Sequence, residues 1–219
     1  MKTHILTALW QRPEITRICF EGIKRLGLPA TAAISEESYI KMCEEYGIDW
    51  VMTPNQPVGH KWNAGMIQAL KHKWDYVMIL GSDDIVTNSI FDIYKPLMGV
   101  YFMFGVDSCY FYHKGKIKRF SYKDKSAMSV GAGRMLHRSL VEDCMPLWGD
   151  VNRSLDGSCL RRIRSKGYDE KVVSLGDAVI MDIKSDTNLN HFSSLEGDFV
   201  NATILDYFSY KERMLLRDL

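Results

Sequence analysis

Residues 75–84 read Asp75-Tyr76-Val77-Met78-Ile79-Leu80-Gly81-Ser82-Asp83-Asp84, and the fold follows from how this stretch is read. Tyr76 to Leu80 is apolar without interruption, as in a strand buried on both faces of a parallel sheet. Gly81 breaks the run, and two adjacent carboxylates follow. Ligands of open α/β sheets bind at the carboxyl ends of strands, so the acids stand at the edge of a candidate site. Neighbouring carboxylates repel unless a cation or a hydrogen-bond donor lies between them. A hard divalent ion that also bridges a diphosphate is one solution, because it neutralises both parties. The plain alternative is that Asp83 or Asp84 caps a helix starting at Ile85, or forms a turn.

Upstream of this stretch, short apolar runs alternate with amphipathic ones, the pattern of βαβ units around a mostly parallel sheet. Residues 4–9, 31–34 and 49–53 read as strands. Pro13 suits the first turn of a helix, and Ile15, Ile18, Cys19, Ile23 and Leu26 follow at helical spacing. Ser35 is placed to cap a second helix reaching about residue 46, with Ser38 and Lys41 outward. A loop over 54–59 leads to a third helix over about 61–72. Downstream, 100–112 is aromatic and β-prone, and His113-Lys114-Gly115-Lys116 reads as a hairpin turn into a strand over 117–122. Helices are expected over about 134–144 and 156–166, the second ending at Gly167. A strand over 172–182 and an amphipathic helix from Leu205 complete the reading.

The chain has 219 residues, 46% hydrophobic and 25% charged, which suits one globular core rather than disorder. A net charge of +1 gives no global pull toward nucleic acid or an anionic membrane. The five cysteines are scattered and form no C-x-x-C pair, which argues against a zinc knuckle or disulfide framework and for a reducing compartment. The apolar stretch at the start is too short and interrupted for a signal peptide, and no run approaches the roughly 20 residues of a membrane span. The expectation is a soluble, cytoplasmic chain without membrane insertion. Its oligomeric state is not readable.

Asn55, Gly59, Lys61, Asn63 and Gly65 stand in the order Asn-x-x-x-Gly-x-Lys-x-Asn-Ala-Gly, ahead of the strand that bears Asp83. The first strand ends in Thr7-Ala8-Leu9-Trp10-Gln11-Arg12-Pro13. Further on come Gly131-Ala132-Gly133-Arg134-Met135-Leu136, then Leu155-Asp156, Arg161-Arg162 and Gly167-Tyr168. Taken in order over about residues 4–170, these motifs resemble family 2 glycosyltransferases of the GT-A fold. The resemblance implies a single α/β domain of GT-A (Rossmann-like) type, its mostly parallel central sheet flanked by helices. It also implies a nucleotide-sugar-binding half over about 1–99 and an acceptor half over about 100–219.

The activity implied is transfer of a sugar from a nucleoside diphosphate sugar to an acceptor hydroxyl, with Mn²⁺ or Mg²⁺ as cofactor. Thr7, Leu9, Arg12, Ser35 and Glu36 would hold the base and ribose, with Asn55, Lys61, Asn63 and Ser82 also lining the donor site. Asp83 and Asp84 would hold the metal on the diphosphate, and His191 could reach back as a third ligand, against the plainer reading of a surface histidine. Asp156 would be the general base. A sugar hydroxyl is a poor nucleophile near neutral pH, and a positioned carboxylate raises its reactivity. The sequence departs from the family where Gly81 replaces an acid of the usual Asp-x-Asp and where Ser35-Glu36 follows the second strand. It also lacks an Arg-Trp pair after the acceptor helix, which argues against a processive polysaccharide synthase.

Other features read as structural first. Asp177 and Asp182 flank a strand, Arg161, Arg162, Arg164 and Lys166 suit a solvated helix face, and Trp62, Trp148 and the aromatic run 101–112 suit packing. No cysteine has a histidine nearby in sequence that would activate it. Two other functions compete. A nucleotidyltransferase would need a Gly-rich loop after the first strand to cradle a triphosphate, where this chain has Ala8 to Pro13 without glycine. A degenerate sugar- or nucleotide-binding module would explain Gly81 but not the retention of Asp83, Asp84 and Asp156. The acceptor stays open between a saccharide, a protein, a small molecule and a modified DNA base. The last would draw on the basic cluster near Arg161 and on the hairpin from Lys114 to Lys125.

Overall fold

The first apolar run folds as β1 (Thr3–Leu9), and Pro13 at the first helical position starts α1 (Pro13–Leu26). Ile15, Ile18, Cys19 and Ile23 bury one face of α1, while Leu26 is only partly covered. Gly27 then ends the helix in the left-handed region that its missing Cβ permits. The alternation continues through β2 (Ala30–Ile34), α2 (Ser38–Tyr46), β3 (Asp49–Met52), α3 (Val58–Ala69) and β4 (Tyr76–Ile79). Beyond the acids lie β5 (Asp84–Val86), α4 (Ile90–Tyr94), β6 (Met103–Val106), β7 (Ser108–His113), β8 (Lys116–Ser121) and β9 (Arg134–His137). The chain continues with α5 (Arg138–Cys144), α6 (Leu155–Ser165), β10 (Lys171–Val173), β11 (Ile180–Ile183), β12 (Asp198–Phe199) and α7 (Tyr210–Arg217). The computed structural model describes residues 1–122, 128–185 and 192–219.

Among the described residues a seven-stranded sheet runs β10-β6-β9-β4-β1-β2-β3, and a five-stranded sheet runs β12-β8-β7-β11-β5. In the larger sheet β1, β2, β3 and β4 are parallel, and only β9 runs against its neighbours. The uninterrupted apolar run at Tyr76 thus takes the middle position, as expected of a strand covered on both faces. At its end the chain leaves one sheet for the other: β4 belongs to the first, β5 to the second, and residues 80–83 form the crossing. The acids occupy the seam between the sheets.

The Asn/Gly motif explains how the seam is braced. Gly65 of α3 lies so close to the sheet that a Cβ would stand 2.9 Å from Leu6 Cδ1 and 3.1 Å from Ala33 Cβ. A Cβ on Gly59 would stand 2.0 Å from the carbonyl oxygen of Gly149. Asn63 accepts from the Leu147 and Trp148 amides (2.9 and 3.1 Å) and donates to the Trp148 carbonyl (2.6 Å). Buried polar groups persist only when bonded in this way, so α3 and the 147–149 loop are locked together.

Several expected elements differ. Ser35 does not cap α2; the helix starts at Ser38 behind Glu37, and the Ser35 hydroxyl instead accepts from Lys61 Nζ at 2.8 Å. Residues 134–137 are strand rather than helix because pairing with β4 and β6 on either side outweighs a helical period that fits only from residue 138. Asp84 opens a strand, not a helix cap. The expected strand 172–182 is two strands, one in each sheet, separated by a turn at Leu175 to Ala178. Helix α3 begins at Val58, inside the expected loop. The Lys114-Gly115 hairpin forms as read, with φ of 46° and 76° at its two turn residues.

Candidate active site

A cavity of about 360 Å³ opens at the seam, and its wall carries Asp83, Asp84 and Asp182 on one side and Asp156 on another. Asp83 arrives on the turn after β4 and Asp84 at the first position of β5. Asp182 arrives by register: β11 runs antiparallel to β5 and sets Asp182 directly opposite Asp84. The backbone closes the arrangement, with the Ile183 amide donating to the Asp83 carbonyl at 2.7 Å. One oxygen from each of the three carboxylates lies within 4.8 Å of the others.

Like charges facing each other across a ladder are destabilising, and the carboxyls register it. Burial, with Asp182 and Asp83 beside it, pushes Asp84 well above the ordinary carboxylate range. Burial and Asp83 raise Asp182 to about 7. Two cations offset part of the charge. Arg12 donates to Asp83 Oδ2 at 2.8 Å and to Ser82 Oγ at 3.2 Å, and Lys184 donates to Asp182 Oδ2 at 2.5 Å. Asp182 Oδ1 is buried without a hydrogen-bond partner among the described residues. A buried acceptor left open among three acids is what a hard cation would satisfy, so the donor set fits Mn²⁺ or Mg²⁺.

Gly81 has a local reason. The two carboxylates fold back over it: a Cβ there would stand 2.7 Å from Asp83 Oδ1 and 2.9 Å from Asp84 Oδ2, and the Gly81 amide donates to Asp84 Oδ2 at 2.6 Å. The space that an acidic side chain would take at this position is filled by the acids that follow.

The other sequence-picked residues fall into separate groups. Gln11 and Arg12 are left-handed (φ 47° and 66°), a conformation that costs a non-glycine residue about 1 kcal/mol. Glu36 accepting from the Gln11 amide and the Tyr39 hydroxyl donating to the Gln11 carbonyl hold that turn, which aims Arg12 at the acids. Lys61 is buried, its ammonium donating to the Leu9 carbonyl, Ser35 Oγ and Asn55 Oδ1, so it ties together the ends of β1 and β2 and the loop after β3. Burial pulls its pKa down to about 8 against the pull of Glu36. Asn63 serves the 147–149 loop. Thr7 and Leu9 have buried side chains. His191 lies outside the described residues, as do Lys123 and Lys125 of the basic stretch.

Also on the cavity wall, Asp156 in the first turn of α6 keeps a side chain 55% exposed and accepts from Arg134 NH1 at 3.0 Å. Trp62 and Trp148 pack 5.5 Å apart beside it, and Phe111, Phe120 and Tyr122 line the cavity, whereas Tyr101 and Phe102 lie exposed elsewhere. Cys109 and Cys159 also face the cavity, but burial drives the first thiol well up and the second to about 12, which leaves neither as a nucleophile. Arg162 donates to the Cys144 carbonyl at the end of α5, and Arg161, Arg164 and Lys166 are exposed.

In the sequence Asp182 reads as a structural residue flanking a strand, and Arg134 stands within a motif that gives it no role of its own. The one local signal for Asp182 is an acid set among apolar neighbours in Ile180-Met181-Asp182-Ile183 and followed by Lys184, and that pattern does not say which strand it will face.

No family profile and no curated protein matches the sequence. Solved structures match by fold. S. aureus TarS, residues 1–349, in complex with UDP-GlcNAc, superposes with a TM-score of 0.59 at 10% identity, over 90% of this chain and 62% of that one. T. maritima inositol-1-phosphate CTP transferase gives 0.57 at 12% identity, over 99% and 95% of the two chains. A glycosyltransferase involved in glycosylating the major capsid of PBCV-1 gives 0.50 at 11%, over 83% and 92%. The chain therefore spans under two thirds of the TarS fragment and nearly all of the CTP transferase. These likenesses establish a GT-A-like α/β fold, one that serves glycosyltransferases and a nucleotidyltransferase alike. Among the described residues no helix is long and apolar enough to cross a membrane.

Proposed function

We propose that the chain is a metal-dependent glycosyltransferase that moves a sugar from a nucleoside diphosphate sugar to an acceptor hydroxyl. One observation carries the reading: a three-carboxylate cluster with an open buried oxygen shares a cavity with a separate, exposed carboxylate. Asp83, Asp84 and Asp182 would hold Mn²⁺ or Mg²⁺. A cation there supplies neutralisation of the charge that develops on the departing diphosphate. Arg12 and Ser82, on the strand-end turns, would face the donor, with Glu36 and Ser35 nearer the base and ribose. Lys61 and Asn55 would serve the donor site by fixing these turns, and Asn63 by fixing the 147–149 loop. Asp156 would take the acceptor's proton as its oxygen attacks the anomeric carbon.

The donor half is then residues 1–99, completed by Asp182 from the acceptor half. Free thiols on all five cysteines suit a cytoplasmic setting. The acceptor class is a saccharide, a protein, a small molecule or a modified DNA base, and the aromatic cavity wall suits any acceptor that presents a flat ring face.

The likeness to the CTP transferase over nearly the whole of both chains favours a second reading, transfer of a nucleotidyl group. The turn after β1 carries no glycine to cradle a triphosphate, which ranks this reading second. A panel of nucleotide sugars and of nucleoside triphosphates with sugar phosphates, each with Mn²⁺, separates the two. Release of nucleoside diphosphate from one sugar donor supports the first reading, and release of pyrophosphate supports the second. Neither release, with no nucleotide-induced rise in melting temperature, would leave a non-catalytic binding module and overturn both.

A further inference from the structure

We infer that Arg134 and Glu170 are positioning residues for Asp156, holding its carboxylate in one orientation toward the cavity; the inference rests on Asp156 acting as the base. The three groups come from distant segments: Arg134 from β9, Asp156 from the first turn of α6, Glu170 from the residue before β10. Arg134 and Glu170 are buried, with side chains 3% and 1% exposed, while Asp156 projects into the open.

Every arm of the guanidinium is assigned. Nε donates to Glu170 Oε1 and Ser129 Oγ, both at 3.0 Å, NH2 donates to the Ser129 carbonyl at 3.0 Å, and NH1 donates to Asp156 Oδ1 at 3.0 Å. Glu170 is fixed in turn, accepting from the Ser129 amide at 3.1 Å and from the Ser129 hydroxyl. A planar fork held on two sides can present its third side in one direction only, which a lysine could not do.

Gly131 supplies the other half of the clamp. A Cβ at Gly131 would stand 2.3 Å from Asp156 Oδ1 and 2.5 Å from Oδ2, so the carboxylate rests directly on glycine backbone. Arg134 takes Oδ1, and Oδ2 meets no donor among the described residues. One oxygen is anchored and its neighbour is left to accept a proton. A buried arginine shared between two carboxylates is a costly way to stabilise a fold, since apolar packing usually does as well. Its placement is explained when one of the two acids must be aimed. Orientation has a large lever on rate, because a misplacement of about 1 Å in a reacting group can cost about 10²-fold.

The test uses the full chain and whichever nucleotide sugar the wild type turns over. Gly131→Ala is the most local variant: its φ lies outside the left-handed region that disfavours alanine, and the three heavy atoms nearest the new methyl all belong to the Asp156 carboxylate. Its kcat is expected to fall about tenfold or more, with affinity for the matching nucleoside diphosphate and Mn²⁺ unchanged within about twofold. Arg134→Lys, which keeps the charge but reaches one partner at a time, should lie between wild type and Arg134→Met in kcat at equal nucleotide affinity. The inference is overturned if Gly131→Ala turns over like wild type, if the lysine variant is no better than methionine, or if nucleotide affinity falls in step with kcat. A wild type inactive with every donor overturns the function and this inference together; an active wild type with unimpaired variants overturns the inference alone.

Discussion

The two acidic regions of the cavity use the same residue type in opposite environments. Asp83, Asp84 and Asp182 crowd one another where two sheets meet, partly neutralised by Arg12 and Lys184, with one buried oxygen left open. Asp156 stands apart, more than half exposed, gripped on one oxygen by a buried arginine. Crowding raises proton affinity and creates demand for a cation; separation and a fixed cationic partner leave a carboxylate oriented toward a substrate. The environment, rather than the side chain, sorts the four aspartates into two proposed roles.

The crowded end should give the largest effect. Asp182→Asn should lower cation-dependent transfer by about 10³-fold, since a missing ligand removes several kcal/mol of transition-state charge stabilisation. The same variant should raise the melting temperature of the metal-free protein, because one source of repulsion is gone. A calorimetric scan with and without Mn²⁺ reads both effects. If Asp182→Asn melts lower without metal and keeps its Mn²⁺ response, the cluster is not a cation site.

Asp156→Asn should cost about 10²-fold in kcat, with donor binding unchanged by titration of a nucleoside diphosphate. Equal losses in binding and turnover would erase the distinction between the two regions.

Smaller changes sharpen it. Gly81→Ala should weaken Mn²⁺ binding about tenfold, in the range of outer-shell changes at metal sites, because the methyl would push against Asp83 and Asp84. Gly81→Asp should weaken it too, although it creates an Asp-x-Asp spacing, since its side chain needs the same space.

The smallest effect is on stability against pH. In the metal-free fold Asp182 holds a proton up to about 7, whereas the unfolded chain releases it in the ordinary aspartate range. The folded state therefore binds more protons between those limits. Stability should decline by up to about 1.4 kcal/mol per pH unit for this one proton as pH rises through that window. Saturating Mn²⁺ should flatten the decline, and urea titrations from pH 4.5 to 7.5 would check it.

Much of the fold was legible because its signals are local. The apolar run at Tyr76, the proline that starts α1 and the Lys-Gly turn of the hairpin each depend on a few adjacent residues. The Asn/Gly motif was legible as a pattern but not as a mechanism. Lys61 and Asn63 looked like groups for a ligand, yet their hydrogen bonds run to Leu9, Ser35, Asn55 and the 147–148 backbone, which fixes the strand ends around the cavity. Residues 134–137 misled in the other direction, because a strand inserted between two others is stabilised by partners that a local helical period cannot register.

Local pattern was enough to say that an α/β sheet would carry adjacent acids at the lip of a central strand, and that a later acid, Asp156, would open a helix. Only the tertiary structure decided which acids meet. Asp182 joins Asp83 and Asp84 through the antiparallel register of β11 on β5, and Arg134 reaches Asp156 because β9 threads between β4 and β6. Periodicity records which face of an element is buried. The identity of the element across from it is set by packing among segments far apart in the chain, where no local pattern is written.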